Sequence, residues 1–274
     1  MGVEAPPEDV GTVRRYRQHA RQRAITETVM KEGAVRIEQL AERFDVSLMT
    51  VHRDLDELES RGLLRKHRGV ATATSTALVE SSDVYRSSRQ LAEKDAIADA
   101  AIDFVEPGQA IILDDSTTTL HVVPHLASKV PITVITNTMT IMEQLRGARG
   151  VTLLGVGGKY FSWCSSFMGT MAIDTIESLR ADLLIMSTAA ITDDIAYHQT
   201  LETVDVKRAM FASARKRILL ADHTKFEKHA LHALMPLSDF DVVIVDAATD
   251  REHVARLRDK VETVVVAKKG MHQR

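Results

Sequence analysis

The feature that most constrains this chain is a set of seven short apolar runs between residues 110 and 267, separated by helical stretches. They read AIILDD, TVITN, VTLLG, DLLIMST, RILLAD, VVIVD and TVVVA. Runs this short and β-branched, bounded by turn residues, are strands buried on both faces. Strands that alternate with helices build an α/β domain around a mainly parallel sheet. Helices are expected over residues 92–105, from Thr118, from Met139, from Thr170, over 204–214 and near Glu252.

Ligands of open parallel sheets sit beyond the carboxyl ends of the strands. That rule selects the turns after each run. Asp114-Asp115-Ser116-Thr117-Thr118-Thr119 stands at a strand-to-helix turn, where unpaired amides and a row of hydroxyls suit a phosphate. The alternative for Ser116 is an ordinary helix cap. Two adjacent carboxylates would repel a phosphate, so Asp114 is expected to face sugar hydroxyls or a backbone amide. Asn137 either binds a polar ligand or caps the next helix. Gly158 closes a glycine cluster that permits close backbone approach. Asp222 and Lys225 end the fifth run, and Lys225 can meet a phosphate as a point charge. The expected effector site is therefore Asp114, Ser116, Thr117, Thr118, Thr119, Asn137, Gly158, Asp222 and Lys225.

The amino-terminal part has a different grammar. Residues 1–17 read as a flexible tail, and residues 18–73 as a compact reading head whose first helix spans Gln18 to Glu32. The arginines between Arg14 and Arg23 are a solvated helix start or a phosphate contact. Ile37 to Phe44 is a short amphipathic helix. Ser47 then offers an N-cap, and Met49, Val51, Leu55, Leu58 and Leu63 are expected to face inward along a second helix that Gly62 ends. Two short helices joined by a tight turn make a helix-turn-helix, whose second helix enters the major groove. Ser47, Thr50, His52 and Arg53 would face the bases. Arg65, Lys66, His67 and Arg68 form a basic wing against backbone phosphate. Residues 74–89 are small and polar and read as a linker, leaving 90–270 for the α/β domain.

Net charge is −3, so any nucleic-acid role is local to this head. Aromatic residues are few, which disfavours stacking on single strands. The lone cysteine, Cys164, reads as a small apolar residue in a reducing compartment. No stretch is long and apolar enough for a bilayer. The opening MGVEAPPEDVGTV has no secretory pattern, so a cytoplasmic location and no membrane partner are expected. His121 with His125, and His229 with His232, lack the further anchors of a zinc site, so neither a metal nor a cofactor is expected.

These residues resemble the DeoR family of bacterial transcription regulators. The family's Val-Ser, Thr-Ile-Arg-Arg-Asp-Leu and Arg-x-His-Gly-Gly-Ala are met by Val46-Ser47, Thr50-Val51-His52-Arg53-Asp54-Leu55 and Arg65-Lys66-His67-Arg68-Gly69-Val70. Its Leu-Asp-Ser-Gly-Thr-Thr-Thr is met by residues 113–119, its Thr-Asn-Ser by Thr136-Asn137-Thr138, and its Asp-x-Ser-Lys-Phe by residues 222–226. A Glu-x-x-x-Lys-Arg-x-Met pattern is approached by residues 202–210. Four features depart: His52 replaces arginine, Arg68 replaces glycine, Asp115-Ser116 replaces Ser-Gly, and residues 191–199 replace a stretch that usually bears glycine.

The resemblance implies a winged helix-turn-helix followed by a sensor domain similar to ribose-5-phosphate isomerase and CoA transferases. It implies a repressor of a carbohydrate catabolic operon, binding double-stranded operator DNA as a dimer or tetramer. A phosphorylated sugar or polyol would control it. The rival reading is a sugar-phosphate isomerase-like enzyme with a fused DNA-targeting head, in which Asp114, Asp222 and Lys225 move a proton. No residue is assigned a catalytic role under the first reading.

Overall fold

The computed structural model describes residues 10–60, 63–73 and 83–268. The start of the expected tail, Arg61 and Gly62 at the expected helix end, most of the expected linker, and the side chains of Arg14, Arg15 and Arg17 lie outside them. The chain divides into two compact units, with the boundary between Ser88 and Arg89.

The first unit opens on helix α1 (Val10–Glu32), which begins well upstream of the expected Gln18. Strand β1 (Ala34–Arg36), helix α2 (Ile37–Arg43) and helix α3 (Leu48–Ser60) follow, then strands β2 (Leu64–His67) and β3 (Val70–Ala73) and the short helix α4 (Asp83–Arg86). The turn between α2 and α3 is tight because Asp45 takes a left-handed φ of 49° and the Val46 amide donates to Ala41 O at 3.1 Å. Ser47 Oγ accepts from the Thr50 amide at 3.2 Å, which starts α3. Ile25, Val29, Ile37, Leu40, Val51, Leu55, Leu58, Leu63 and Leu64 share one core. Burying each such aliphatic side chain stabilises the unit by roughly 1.5–3 kcal/mol.

Met49 does not join that core. It is 71% exposed. Val51, Leu55 and Leu58 follow helical spacing, but Met49 precedes Val51 by two residues, about 200° around the helix. The wing is an antiparallel hairpin of β2 and β3, turned by Arg68 and Gly69 at φ 47° and 76°. Two consecutive positive φ values mark the tight turn that matches strand twist. Strand β1 adds a third strand beside β3, in the order β1-β3-β2, which the sequence reading lacked.

In the second unit all seven runs become strands of one sheet: β4 (Ala110–Leu113), β5 (Ile132–Thr136), β6 (Val151–Gly155), β9 (Ala181–Ser187), β12 (Ala214–Ala221), β14 (Val242–Asp246) and β15 (Thr263–Ala267). Every pairing is parallel, in the order β15-β14-β12-β9-β4-β5-β6. Successive residues alternate faces. Ile111, Leu113, Leu183, Ile185, Ile218, Leu220, Val242 and Ile244 enter one core. Ile112, Leu184, Met186, Leu219, Val243 and Val245 enter the other. Helix α5 (Leu91–Ala101) covers the first face with Ile97 and Ala101. Helices α8 (Thr170–Glu177), α9 (Leu201–Ala212) and α10 (Arg251–Arg258) cover the second with Ile176, Val204, Met210 and Leu257. Cys164 is buried in that second core.

The helix expected from Met139 is α7 (Met139–Leu145), but the one expected from Thr118 is only the short α6 (Thr117–Leu120), followed by a tighter 3-10 stretch over Val123–Lys129. Pro124 lacks the amide that an α-helix needs there. Short antiparallel pieces complete the unit: β7 (Lys159–Phe161) with β8 (Ser166–Met168), and β10 (Ala190–Thr192), β11 (Ile195–His198) and β13 (His232–Pro236). The β10–β11 turn occupies the stretch that departs from the family pattern. Asp193 and Asp194 take positive φ values of 49° and 61° where glycine would be unstrained. Arg256 and Lys260 hold Asp194 at 2.9 and 2.7 Å.

Candidate functional site

Two regions gather the polar residues singled out above. On the first unit, the start of α3 presents Ser47, Thr50, His52 and Arg53. The Ser47 and Thr50 hydroxyls lie 2.9 Å apart and cap the helix. Arg53 is exposed and His52 half-buried. Leu48 and Met49 stand exposed in the same first turn. On the wing, Arg65, His67 and Arg68 are exposed. Lys66 pairs with Asp56 of α3, and its amide donates to Glu59 Oε1 at 3.0 Å. Lys66 ties the wing to the helix, and the exposed side chains are its three neighbours Arg65, His67 and Arg68.

What fixes the pose of α3 is a residue that sequence reasoning left unassigned. Asp54 is 1% exposed and accepts from Arg21 Nε at 2.6 Å and Gln22 Nε2 at 3.2 Å. Glu57, one turn on, accepts from Gln18 and Gln22 at 3.0 and 2.8 Å. Arg21 is thus a clasp between α1 and α3. The signal was legible as two facing polar stripes: 18, 21 and 22 on one helix, 54 and 57 on the other.

On the second unit, the carboxyl ends of β4, β5, β9 and β12 bring the other residues together. Asp114 is fully buried and used internally. Its Oδ1 accepts from the Ser116 amide at 3.1 Å and from the Ser116 and Thr119 hydroxyls at 2.7 Å each. Its Oδ2 accepts from the Ser187 amide at 2.9 Å and from Lys207. A carboxylate has about four acceptor sites, so Asp114 is saturated. Ser116 and Thr119 are used with it, and the Thr119 amide is used by Ser116 Oγ. The hydroxyl row is thus split. Thr117 and Thr118 are buried, and their amides and hydroxyls make no hydrogen bond among the described residues.

Lys207 went unlisted in the sequence reading although it lies in the motif at 202–210. It is 1% exposed, on the inner face of α9. Its three protons have three partners: Asp114 Oδ2, Asp115 Oδ1 at 3.1 Å and Ser187 O at 3.2 Å. Burial opposes its charge, but Asp114 and Asp115 outweigh that and hold the ammonium above the ordinary lysine range. With one cation between two carboxylates, the cluster keeps one excess negative charge. The signal for Lys207 was its i+3 spacing from buried Val204, on a residue type that defaults to the surface.

Three buried polar atoms around this cluster have no hydrogen-bond partner: Asp115 Oδ2, Asn137 Oδ1 and Ser187 Oγ. Gln199 Oε1, just before α9, is a fourth. Asn137 also donates from Nδ2 to Phe167 O at 2.9 Å. Gly158 sits where an added Cβ would lie 2.7 Å from Met168 O, so packing against β8 requires glycine there.

Asp222 and Lys225 lie at the end of β12, with the Lys225 ammonium 3.7 Å from Asp222. Asp222 caps the following turn through the Thr224 amide at 3.1 Å. Burial raises its pKa, but Lys225, the Thr224 hydroxyl, Lys94 and Lys228 outweigh that and hold it below the ordinary carboxylate range. Lys94, buried on α5, is a further cation that sequence reasoning passed over. Asp246 is closed off by the His223 amide at 2.6 Å and the His223 ring at 3.0 Å. His121 and His125 face Asp95 and Asp99. Among the described residues no group of three or more His, Cys, Asp or Glu is arranged to hold a metal ion. None of their helices is long and apolar enough to cross a membrane.

Comparison with known proteins matches residues 21–77 to the DeoR-like helix-turn-helix domain and residues 89–247 to the DeoR C terminal sensor domain. The transcriptional repressor AccR of Agrobacterium fabrum is 34% identical over 84% of this chain and 90% of its own length. The lactose phosphotransferase system repressor of Staphylococcus aureus is 30% identical over 90% of this chain and 99% of its own. A putative aga operon transcriptional repressor of Escherichia coli O157:H7 is 29% identical, covering 90% and 93%. Among solved structures, ribose 5-phosphate isomerase from Plasmodium falciparum aligns at 15% identity and a TM-score of 0.36, over 48% of this chain and 52% of that one.

Proposed function

This chain belongs to the DeoR family of transcriptional regulators, and from that premise we propose that it represses a carbohydrate catabolic operon under the control of a phosphorylated sugar or polyol. Its relatives are named as repressors, and it is a DNA-binding regulator rather than an enzyme. The effector would bind at the carboxyl ends of β4, β5, β9 and β12. The observation that carries this reading is the divided use of the turn after β4. Asp114, Ser116 and Thr119 close on one another, while the Thr117 and Thr118 hydroxyls are left unengaged. Amides and hydroxyls left unengaged at a helix start are ready donors to a phosphate.

In this reading Asp114 and Gly158 shape the site without touching the ligand, and Asn137 hydrogen-bonds it. Ser47, Thr50, His52 and Arg53 face base edges, and Arg65, His67 and Arg68 meet backbone phosphate. A dimer or tetramer in the cytoplasm pairs two heads on operator half-sites. The effector acts by its difference in affinity for the DNA-competent and DNA-released states.

The test is a thermal-shift screen of the full chain against sugar phosphates, with the unphosphorylated sugars as controls. A ligand that binds only the folded state raises the midpoint by mass action. A shift with one phosphate, lost in Thr118→Val, is the expected result. A shift with free sugars alone contradicts the phosphate.

A further inference from the structure

We infer that Asp115 selects the effector: its unpaired Oδ2 and Asn137 Oδ1 accept from two donor groups on the ligand's hydroxyl- or amine-bearing end and turn an anionic group away. The inference rests on the reading of this site as the sensor and adds which chemistry it recognises.

Asp115 has little freedom. Its side chain is 4% exposed, and Oδ1 is fixed by Lys207 at 3.1 Å. Oδ2 is buried with no donor. Lys207 cannot supply one, because its three protons already serve Asp114, Asp115 and Ser187. Asn137 is similarly decided. The Phe167 carbonyl needs a donor, so the amide must point Nδ2 toward it at 2.9 Å, and the atom left over is the acceptor Oδ1. Leu113 pairs with Thr136 on one side and Ile185 on the other. The residues that follow therefore stand on adjacent strand ends, about 5 Å from strand to strand. Ser187 Oγ, unpaired on the β9 side, can serve as donor or acceptor.

Two of the three orphaned atoms can only accept. A buried carboxylate oxygen without a donor is expensive, and its retention at the ligand-binding end of the sheet marks a ligand group that donates. The excess negative charge on the Asp114–Lys207–Asp115 cluster opposes a carboxylate or phosphate at that spot and favours a hydroxyl or ammonium. The phosphate then lies at the opposite end, toward Thr117, Thr118 and Lys225. Asp115 stands where the resemblance places serine, so the preference is this chain's own.

The test uses the full-length protein, with Asp115→Ser and Asp115→Asn beside the wild type. Titration calorimetry measures Kd for phosphorylated sugars, their amino-sugar counterparts and the matching sugar-acid phosphates. The wild type is expected to bind a hydroxyl- or amine-bearing phosphate and reject the acid. Asp115→Ser should weaken that ligand about 10- to 100-fold, the worth of a charge-assisted hydrogen bond, and narrow the gap to the acid. An amine preference that vanishes in Asp115→Asn identifies ammonium as the donor, and equal weakening of both ligands identifies a hydroxyl. The unliganded melting midpoint of Asp115→Ser should not fall. Equal Kd values in wild type and Asp115→Ser overturn the inference and leave the sensor reading standing. A lowered unliganded midpoint in both variants with unchanged ligand preference makes Asp115 structural and also overturns it. A wild type that binds none of the panel contradicts both.

Discussion

Lys207 of α9 and Asp114 at the end of β4 form an ion pair buried to 1% and 0% exposure, and it fastens that helix to the sheet where the effector is proposed to bind. Both partners are needed. Lys207→Met would leave Asp114 and Asp115 buried without their cation. The expected loss is about 3–5 kcal/mol, read from the urea midpoint, and Asp114→Asn in the same chain should recover part of it. A loss below about 1 kcal/mol, the ceiling for an exposed pair, would contradict the pairing.

The pH dependence has two limbs. Asp222 is held below the ordinary carboxylate range, so its contribution is present above about pH 4 and is lost as pH falls through the lowered folded value. Lys207 is held above the ordinary range, so its contribution is complete below about pH 10 and is lost as pH rises through the raised folded value. Between these limits the two groups add no slope. Asp222→Asn should flatten the acid limb of a stability profile and leave the neutral region level. An unchanged acid limb would assign acid unfolding to other carboxyl groups.

Arg68 holds a left-handed backbone at φ 47° in the wing turn, a conformation that costs a non-glycine residue roughly 1–2 kcal/mol. Arg68→Gly should therefore raise stability by up to about 1 kcal/mol while weakening binding to all DNA sequences alike. Its salt slope should shrink by about one. Loss of stability on this change would show that Arg68 packs rather than reaches for phosphate.

Gly158 is required by space. Gly158→Ala would press a methyl group to 2.7 Å from the Met168 carbonyl and 3.3 Å from the Ala172 side chain. Overpacking of this kind costs about 1–3 kcal/mol. The check is thermal unfolding of the full chain, where an unchanged midpoint would refute the tight contact.

The sheet was legible because strands buried on both faces need continuous apolar runs, and nothing else in the chain looks like AIILDD or VVIVD. β1, β7, β8 and β10 were not, because three-residue strands carry no periodicity. The helix-turn-helix was readable from Ser47 and the Val51–Leu55–Leu58 stripe, but counting Met49 inward ignored its angle on the helix. The hydroxyl row after β4 was seen as one unit. The sequence could not tell that Ser116 and Thr119 serve Asp114 while Thr117 and Thr118 do not. Lys207 and Asp54 were missed for a shared reason. A buried charge announces itself only through its partner, and Asp114 lies 93 residues from Lys207, as Arg21 lies 33 from Asp54.

The most direct measurement is fluorescence anisotropy of the full-length protein on the DNA upstream of its own operon, titrated with sugar phosphates. The expected result is specific binding that one phosphorylated sugar weakens at least tenfold, that its unphosphorylated form leaves alone, and that Arg53→Ala abolishes. Affinity equal to that for unrelated DNA, or specific binding that no phosphorylated sugar moves, would contradict an effector-controlled repressor.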